Sequence, residues 1–154
     1  MTETRESLPD LAAMTAFGQR IAARLQPGDV VALDGGLGAG KTTLARAVLA
    51  ALGHEGEVPS PTFTIIETYD SPPLRLAVVH ADFYRLEDPA ELSEIGLDDY
   101  REDAVLIAEW PGNAGGFDHE PGCLAVRLEP IGESGEGGRI AIARGGKDWL
   151  GRMP

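Results

Sequence analysis

The sequence GGLGAGKTT at residues 35–43 decides the fold of this chain. It matches the pattern G-x-x-x-x-G-K-[ST] at every fixed position, and its glycines let backbone N–H groups line a nest for phosphate oxygens. In such a loop Lys41 reaches the β- and γ-phosphates, and the Thr42 hydroxyl binds Mg²⁺. The residues expected to contact a nucleotide triphosphate are Gly35, Leu37, Gly38, Ala39, Gly40, Lys41, Thr42 and Thr43.

The residues on either side of this loop have the character that a phosphate loop requires. Residues 30–33 form a short apolar run, typical of a strand buried on both faces. Residues 42–52 lack glycine and proline, carry leucine and valine at helical spacing, and stop at Gly53, which favours a helix end. In a chain with 20 glycines the pattern can also be an ordinary turn that arose by chance, but the order of strand, loop and helix favours a nucleotide site.

Apolar periodicity along the rest of the chain predicts alternating helices and strands. Helices are expected at residues 9–25 and 88–95, the second closed by Gly96. The other runs with β character are residues 63–66, 76–79, 104–108, 124–128 and 140–143.

These elements predict one α/β domain over residues 1–154, similar to P-loop NTPases. We expect a mostly parallel central sheet flanked by helices, with an antiparallel C-terminal hairpin. The glycine-rich last third favours a flexible hairpin loop and a loose tail at about 146–154.

Charge and cysteine content restrict the partners and the compartment. Twenty-five acids against 13 bases give a net charge of −12, which should repel DNA, RNA and anionic membranes. Cys123 is the only cysteine and lies in an apolar stretch, so we expect a packed side chain and no disulfide. No N-terminal apolar run resembles a signal peptide or a membrane span, and a cytoplasmic location is expected.

Eight of the acids lie between residues 87 and 103, where Arg101 is the only base. This segment is either a solvated helix face or a docking surface for a basic partner, and the sequence leaves both interpretations open.

Two acidic residues follow apolar runs and are candidates to hold the metal shell beside the phosphate loop. Asp82 ends residues 76–82, and Glu109 ends residues 104–109. Each can bind metal directly or through water, or polarise an attacking water, and each can instead be a helix cap or a surface ion pair. Arg85 can neutralise γ-phosphate charge or form a salt bridge with the acidic segment.

Some nucleotide-binding classes are disfavoured. The only lysines are Lys41 and Lys147, and neither lies in the N/T-K-x-D context that selects guanine. The loop at 111–122 has no arginine or lysine, which argues against the arginine-bearing lid of small-molecule kinases without excluding them. The three histidines have no metal-ligand spacing.

Several motifs in order resemble the TsaE family, also called YjeE, a family of small bacterial P-loop ATPases. The motifs are LGAGKTT at 37–43, SPTF at 60–63, HADFYRL at 80–86, DP-x-EL at 88–92, IGLDDY at 95–100 and EWP at 109–111. Gly36 departs from the acid that relatives often carry there, which affects only the fine positioning of the loop.

The resemblance implies an ATPase of tRNA threonylcarbamoyladenosine synthesis that works with the TsaB and TsaD proteins. It implies that ATP hydrolysis drives a conformational or product-release step, and that tRNA is met only indirectly, through the assembly. By resemblance, Lys41 and Thr42 take the phosphate and Mg²⁺ roles, Glu109 is the metal-side acid and Asp82 is a second essential carboxylate. Thr15 resembles a threonine near the nucleotide base.

Two further positions have alternative interpretations. Trp110 is either a wall of the site or an ordinary core tryptophan. Residues 60–63 are either a rigid entry to a strand or, as the resemblance favours, a switch-like loop that senses the γ-phosphate. Two other functions remain open at this point, a small-molecule kinase and a nucleotide-gated adaptor that does not hydrolyse ATP.

Overall fold

The computed structural model describes residues 2–59 and 66–154. Its strands are β1 (Thr2–Leu8), β2 (Val30–Asp34), β3 (Ile66–Tyr69), β4 (Val78–Asp82), β5 (Val105–Glu109), β6 (Cys123–Pro130) and β7 (Arg139–Gly145). Its α-helices are α1 (Leu11–Arg24), α2 (Lys41–Ala51), α3 (Glu91–Ile95) and α4 (Leu97–Arg101). Short 3₁₀ helices cover Pro111–Ala114 and Lys147–Trp149.

The strands form one seven-stranded sheet in the order β1-β7-β6-β2-β5-β4-β3. The four central strands β6, β2, β5 and β4 are parallel, whereas β7, β1 and β3 add to the edges in antiparallel register. The predicted fold class is therefore confirmed, including the C-terminal hairpin formed by β6 and β7.

Helices cover both faces of the sheet because successive strand residues point to opposite sides. Val31 and Leu33 of β2 belong to the core beneath α1 and α2, and Val30 and Ala32 belong to the core on the other face. Such buried parallel strands lack polar alternation, which is why residues 30–33 are a continuous apolar run.

The helix after the phosphate loop, predicted over residues 42–52, covers Lys41–Ala51 and ends before Gly53, the predicted stop. Gly40 is its N-cap with a φ of 105°, and Gly53 follows the C-cap with a φ of 111°. Both values lie in the left-handed region that glycine tolerates best.

Helix α1 begins at an aspartate cap. Asp10 Oδ1 accepts a 2.9 Å hydrogen bond from the backbone N–H of Ala13, which satisfies one of the donors left free at a helix start. The buried face of α1 includes Met14, Phe17 and Ile21, and the helix packs against α2.

Several elements differ from the predicted ones. Helix α3, predicted from residue 88, begins at Glu91 after the N-cap Ala90. Strand β3 covers Ile66–Tyr69, where a strand was predicted at 63–66, of which 63–65 lie outside the described residues. Strand β1 was not predicted, because TETRESL has one apolar residue, Leu8, and owes its strand form to seven residue pairs with β7. Gly96 closes α3 as predicted, but α4 starts at the next residue. Only Leu97 is buried in these two helices, and Asp98 and Asp99 are exposed.

The prediction of a loose tail at 146–154 was wrong. Trp149 has no exposed surface, and its Nε1 donates a 2.9 Å hydrogen bond to the Gly122 carbonyl. Arg152 forms a bidentate ion pair with buried Asp29, at 2.8 and 3.0 Å, and lies over the Trp149 ring. One large aromatic and one buried ion pair therefore fix a segment whose glycines suggested freedom.

The glycine-rich turn between β6 and β7 is also hydrogen-bonded within itself. Ile131 donates to the Gly138 carbonyl at 3.0 Å, and Gly137 donates to the Ile131 carbonyl at 3.0 Å.

Within residues 2–59 and 66–154, no helix is both long and apolar enough to cross a lipid bilayer.

Candidate functional site

The phosphate loop lies at the carboxyl edge of the parallel strands. Asp34 ends β2 immediately before the loop, Asp82 ends β4, and Glu109 ends β5. Asp82 and Glu109 are register partners on adjacent parallel strands, so the topology places their carboxylates next to the loop. Ligands of open α/β sheets bind at this edge.

Lys41 is held against the loop that precedes it. Its Nζ donates 2.8 Å hydrogen bonds to the carbonyls of Gly35 and Gly36 and lies 4.2 Å from the centre of the Trp110 ring. The side chain is only 6% exposed. Burial lowers the pKa of Lys41, against the opposing influence of Glu109, Asp34 and Asp82. The ammonium group is therefore poorly hydrated, which favours its binding to an anion.

Thr42, Glu109 and His80 form a chain of hydrogen bonds beside the lysine. The Thr42 hydroxyl donates to Glu109 Oε1 at 2.7 Å, and His80 Nε2 lies 2.6 Å from Glu109 Oε2. When Glu109 is a carboxylate it only accepts hydrogen bonds, and this contact then requires the His80 tautomer that carries its proton on Nε2. Both carboxylate oxygens are therefore oriented, in a group that is 2% exposed.

Asp82 shares this site from the neighbouring strand. Its Oδ1 accepts a 2.9 Å hydrogen bond from the backbone N–H of Tyr84, which fixes the turn that follows β4. Its carboxylate is buried and close enough to Lys41 to favour the charged lysine.

Lys41, Thr42, Asp82 and Glu109 line one cavity of about 320 Å³. Its described lining is Leu37, Gly38, Ala39, Gly40, Lys41, Thr42, Thr43, Asp82, Tyr84, Glu109 and Trp110. Residues 37–43, which were predicted to contact a nucleotide triphosphate, all line this cavity. Gly35, also predicted, does not line it, but its carbonyl accepts a hydrogen bond from Lys41 Nζ.

The oxygen donors that line the cavity fit a magnesium ion. A hydroxyl and two carboxylates are hard oxygen ligands, and they lie beside a loop suited to phosphate, where Mg²⁺ is bound jointly by protein and phosphate oxygens. Among the described residues, no cluster of three or more histidines, cysteines, aspartates or glutamates could hold a metal alone.

A second cavity of about 320 Å³ adjoins the other side of the loop. Leu11 and Met14 of α1 line it, together with Gly38 and Gly40 of the loop and Arg139 of β7. Thr15 lies on the same helix but is exposed and is not among the residues that line this cavity. Its predicted place near the base stays a prediction.

The structure adds three residues that sequence reasoning did not select. Asp34 Oδ1 accepts a 2.8 Å hydrogen bond from the Gly35 N–H, His80 orients Glu109, and Arg139 binds the loop through two carbonyls. Asp34 and His80 lie in buried strands that lead to the site, and these polar residues in apolar runs could have marked both as site candidates. Nothing in the sequence around Arg139 connects it with a loop 100 residues earlier.

Other predicted features have clear positions. Trp110 lines the cavity and also packs against the core that contains Val30 and Ala32. It is therefore both a wall of the candidate site and a core residue. It has a φ of 57°, a left-handed conformation unusual for a bulky residue. Cys123 is buried, as predicted. The SPTF motif at 60–63 lies outside the described residues.

Known proteins similar to this chain point to one family. The sequence profile described as "Threonylcarbamoyl adenosine biosynthesis protein TsaE" matches residues 8–135. The tRNA threonylcarbamoyladenosine biosynthesis protein TsaE of Haemophilus influenzae is 40% identical over 116 residues, which are 71% of this chain and 72% of that protein. The protein of the same name from Mycobacterium tuberculosis strain H37Rv is 40% identical over 111 residues, 68% of this chain and 66% of that protein.

A solved structure agrees with these sequence matches. The crystal structure of YdiB from Bacillus subtilis superposes with a TM-score of 0.79 at 26% identity, over 98% of this chain and 91% of that one. A profile match across most of the chain and relatives at 40% identity show that the chain belongs to the TsaE family of tRNA threonylcarbamoyladenosine biosynthesis proteins.

Proposed function

We propose that this protein is a Mg²⁺-dependent ATPase that works with TsaB and TsaD in tRNA threonylcarbamoyladenosine synthesis. The observation that carries the proposal is the hydrogen bond from Thr42 to Glu109 at 2.7 Å, in one cavity with buried Lys41. A phosphate-binding cation, a hydroxyl and a carboxylate at that spacing are the groups that a phosphoryl-transfer site requires.

The two cavities beside the loop suggest how ATP binds. The triphosphate lies in the cavity that contains Lys41 and Thr42, where the N-terminus of α2 also favours negative charge. The nucleoside extends toward the second cavity, lined by Leu11 and Met14, whose apolar side chains suit a purine face.

Thr42 and Glu109 are the residues that would hold Mg²⁺, with Asp82 beside them. The ion, when bound, supplies positive charge to the β- and γ-phosphates. His80 keeps the Glu109 carboxylate turned toward Thr42, so this pair needs little rearrangement when ATP arrives.

Asp82 is the residue proposed to orient the attacking water. Its backbone turn is fixed by the Tyr84 N–H, and its carboxylate is buried at the lining of the cavity. Hydrolysis then requires that water attacks the γ-phosphorus in line with the departing ADP, while Lys41 stabilises the charge on the transferred group.

The site favours slow turnover by the chain alone. Lys41 is the only cationic side chain among the described residues that line the phosphate cavity. Leu37 is 75% exposed at the tip of the loop, and Tyr84 is 45% exposed beside it. An apolar rim of this kind suits a protein partner that closes the site, and the net charge of −12 argues against direct contact with tRNA.

Phosphate release tests this function. We expect slow release by the protein with MgATP, clear acceleration on addition of TsaB and TsaD, and none with Lys41→Ala under either condition. Equal rates with and without the partners would contradict partner dependence. MgATP binding with no phosphate release in the full assembly would indicate an adaptor, and phosphate transferred to a small acceptor would indicate a kinase. Adding tRNA to each mixture tests whether it acts only through the assembly.

A further inference from the structure

Arg139, the first residue of β7, contacts the phosphate loop directly. Its Nε donates a 2.9 Å hydrogen bond to the Ala39 carbonyl, and its Nη2 donates a 3.0 Å hydrogen bond to the Gly38 carbonyl. The planar guanidinium thus holds two successive carbonyls of the loop with adjacent donors.

The remaining contacts of Arg139 join the loop to the turn between β6 and β7. Its Nη1 donates to the carbonyls of Gly135 and Gly138, at 3.1 and 2.9 Å. Gly138 in that turn packs closely against Leu8 and Pro9, because a Cβ there would collide with the Leu8 carbonyl oxygen. Arg139 therefore connects the phosphate loop to a closely packed part of the protein.

The charge of Arg139 is not neutralised by a carboxylate. Across the described part of the chain, no acidic side chain forms an ion pair with its guanidinium. In a protein with a net charge of −12, this leaves a positive charge beside the site proposed for triphosphate.

Peptide planarity connects these contacts to anion binding. In a trans peptide, the carbonyl of one residue and the N–H of the next point in opposite directions. When Arg139 holds the carbonyls of Gly38 and Ala39, the N–H groups of Ala39 and Gly40 point away from it. The Ala39 N–H donates a 3.1 Å hydrogen bond to the Gly36 carbonyl, so the contacts of Arg139 support this turn of the loop. The loop needs such support, because the φ values of Gly38 and Gly40 are 75° and 105° and glycine has many other conformations available.

We propose that Arg139 is a positioning residue that holds the phosphate loop in its anion-binding conformation. The turn between β6 and β7 thereby becomes part of the nucleotide site. The identity of the ligand in this inference rests on the proposed function. The effect of Arg139 on the conformation of the loop can be tested without nucleotide. It also gives the glycine-rich hairpin, to which the sequence assigned no role, a function in the site.

Three variants separate the possible roles of Arg139. Arg139→Ala removes the charge and the hydrogen bonds, and Arg139→Lys keeps the charge but cannot reproduce the planar fork. Arg144→Ala is the matched control, because Arg144 lies on the same strand and pairs with Glu3 away from the loop.

Hydrogen–deuterium exchange of the ligand-free proteins measures the loop itself. We expect Arg139→Ala and Arg139→Lys to exchange at residues 35–42 about tenfold faster than wild type, with Arg144→Ala unchanged. Calorimetric titration should show MgATP binding about tenfold weaker for both Arg139 variants, at thermal unfolding temperatures close to that of the control.

The outcomes separate this inference from the proposed function. Unchanged exchange at 35–42 in Arg139→Ala would overturn the positioning role, whatever the nucleotide affinity. Wild-type behaviour of Arg139→Lys would also overturn it, because the charge alone would then suffice. Failure of the wild-type protein to bind MgATP would instead contradict the proposed function, while the exchange rates would still decide the role of Arg139.

Discussion

The Thr42 hydroxyl donates a 2.7 Å hydrogen bond to Glu109 Oε1, although 67 positions separate the two residues in the chain. Thr42 belongs to the first turn of α2 and Glu109 ends β5, so the bond joins the phosphate loop to the strand beside β2. The two groups proposed to hold Mg²⁺ therefore lie side by side.

Glu109→Gln tests the metal role of this pair. The amide preserves the size and can still bond to Thr42 and His80, but it removes the negative charge that favours a divalent cation. We expect the Mg²⁺-dependent gain in ATP affinity to fall by about tenfold or more, with a smaller effect on thermal stability. Titrations with and without Mg²⁺ measure the gain.

The control for this variant is Glu129→Gln, which removes an exposed carboxylate paired with Arg127. It should leave the metal dependence as in wild type. A Glu109→Gln protein with an undiminished Mg²⁺ effect would remove Glu109 from the metal site.

Neighbouring glycines of the loop should respond differently to alanine. A Cβ at Gly35 would lie 2.6 Å from the Leu128 carbonyl oxygen, and Gly35 has a φ of 140°, whereas a Cβ at Gly36 meets no atom within 4 Å. We expect Gly35→Ala to cost about 1–3 kcal/mol of unfolding free energy and to weaken MgATP binding, because the loop must move. Gly36→Ala should change both quantities little. Urea unfolding and calorimetry compare the pair, and equal effects would contradict this account of the loop.

The C-terminal segment should contribute stability and no chemistry. Trp149→Ala empties a fully buried site and should lower the unfolding free energy by about 3–5 kcal/mol. Leu150→Ala changes an exposed neighbour and should have almost no effect. Denaturant unfolding measures both variants. A Trp149→Ala protein as stable as Leu150→Ala would show that the tail is loose in solution.

Cys123 gives a prediction for alkaline pH. Burial, followed by the charges of Asp118 and Glu120, raises the pKa of the Cys123 thiol from 9.0 to about 12. Below pH 9 the thiol is protonated in the folded and unfolded chains and adds no pH dependence. Above pH 9 the unfolded chain loses this proton first, so the unfolding free energy should fall by about 1.4 kcal/mol per pH unit until about pH 12.

Cys123→Ala removes this contribution and serves as the reference, since the other titrating groups are common to both proteins. Urea unfolding between pH 8 and pH 11 should show a stability difference between the two proteins that shrinks as the pH rises. The native thiol should also resist alkylation at pH 8. A constant difference, together with rapid alkylation of the folded protein, would contradict the burial of Cys123.

The central fold was predictable because its signals are local. Residues 30–53 carry a buried strand, a glycine loop and an amphipathic helix in one continuous stretch, so each element is visible in its own residues. The apolar runs that end at Asp82 and Glu109 likewise indicated buried strands and the edge at which both carboxylates lie.

The missed elements depend on distant partners. β1 is a polar sequence that becomes a strand by pairing with β7. The tail owes its order to Trp149 and to the contact of Arg152 with Asp29, 123 positions away. Composition alone describes such segments as loose, because the contact that orders them lies elsewhere in the chain.

The candidate site also combines residues that local sequence patterns indicate and residues that depend on distant contacts. Lys41 and Thr42 were candidates from the loop pattern, and Asp82 and Glu109 were both candidates from their strand ends. Arg139 could not be predicted, because its role depends on the path of the turn between β6 and β7 and on two backbone carbonyls, which leave no trace in residue identity.

Calorimetric titration of MgATP into the wild-type protein and its Lys41→Ala and Lys147→Ala variants tests the central claim most directly. These are the only two lysines in the chain, so the second is a matched control. We predict one binding site per chain in wild type and Lys147→Ala, and at least about a hundredfold weaker binding in Lys41→Ala, since a buried charged contact to phosphate is lost. Equal binding by all three proteins, or none by wild type, would contradict the assignment of residues 35–43 as the phosphate site.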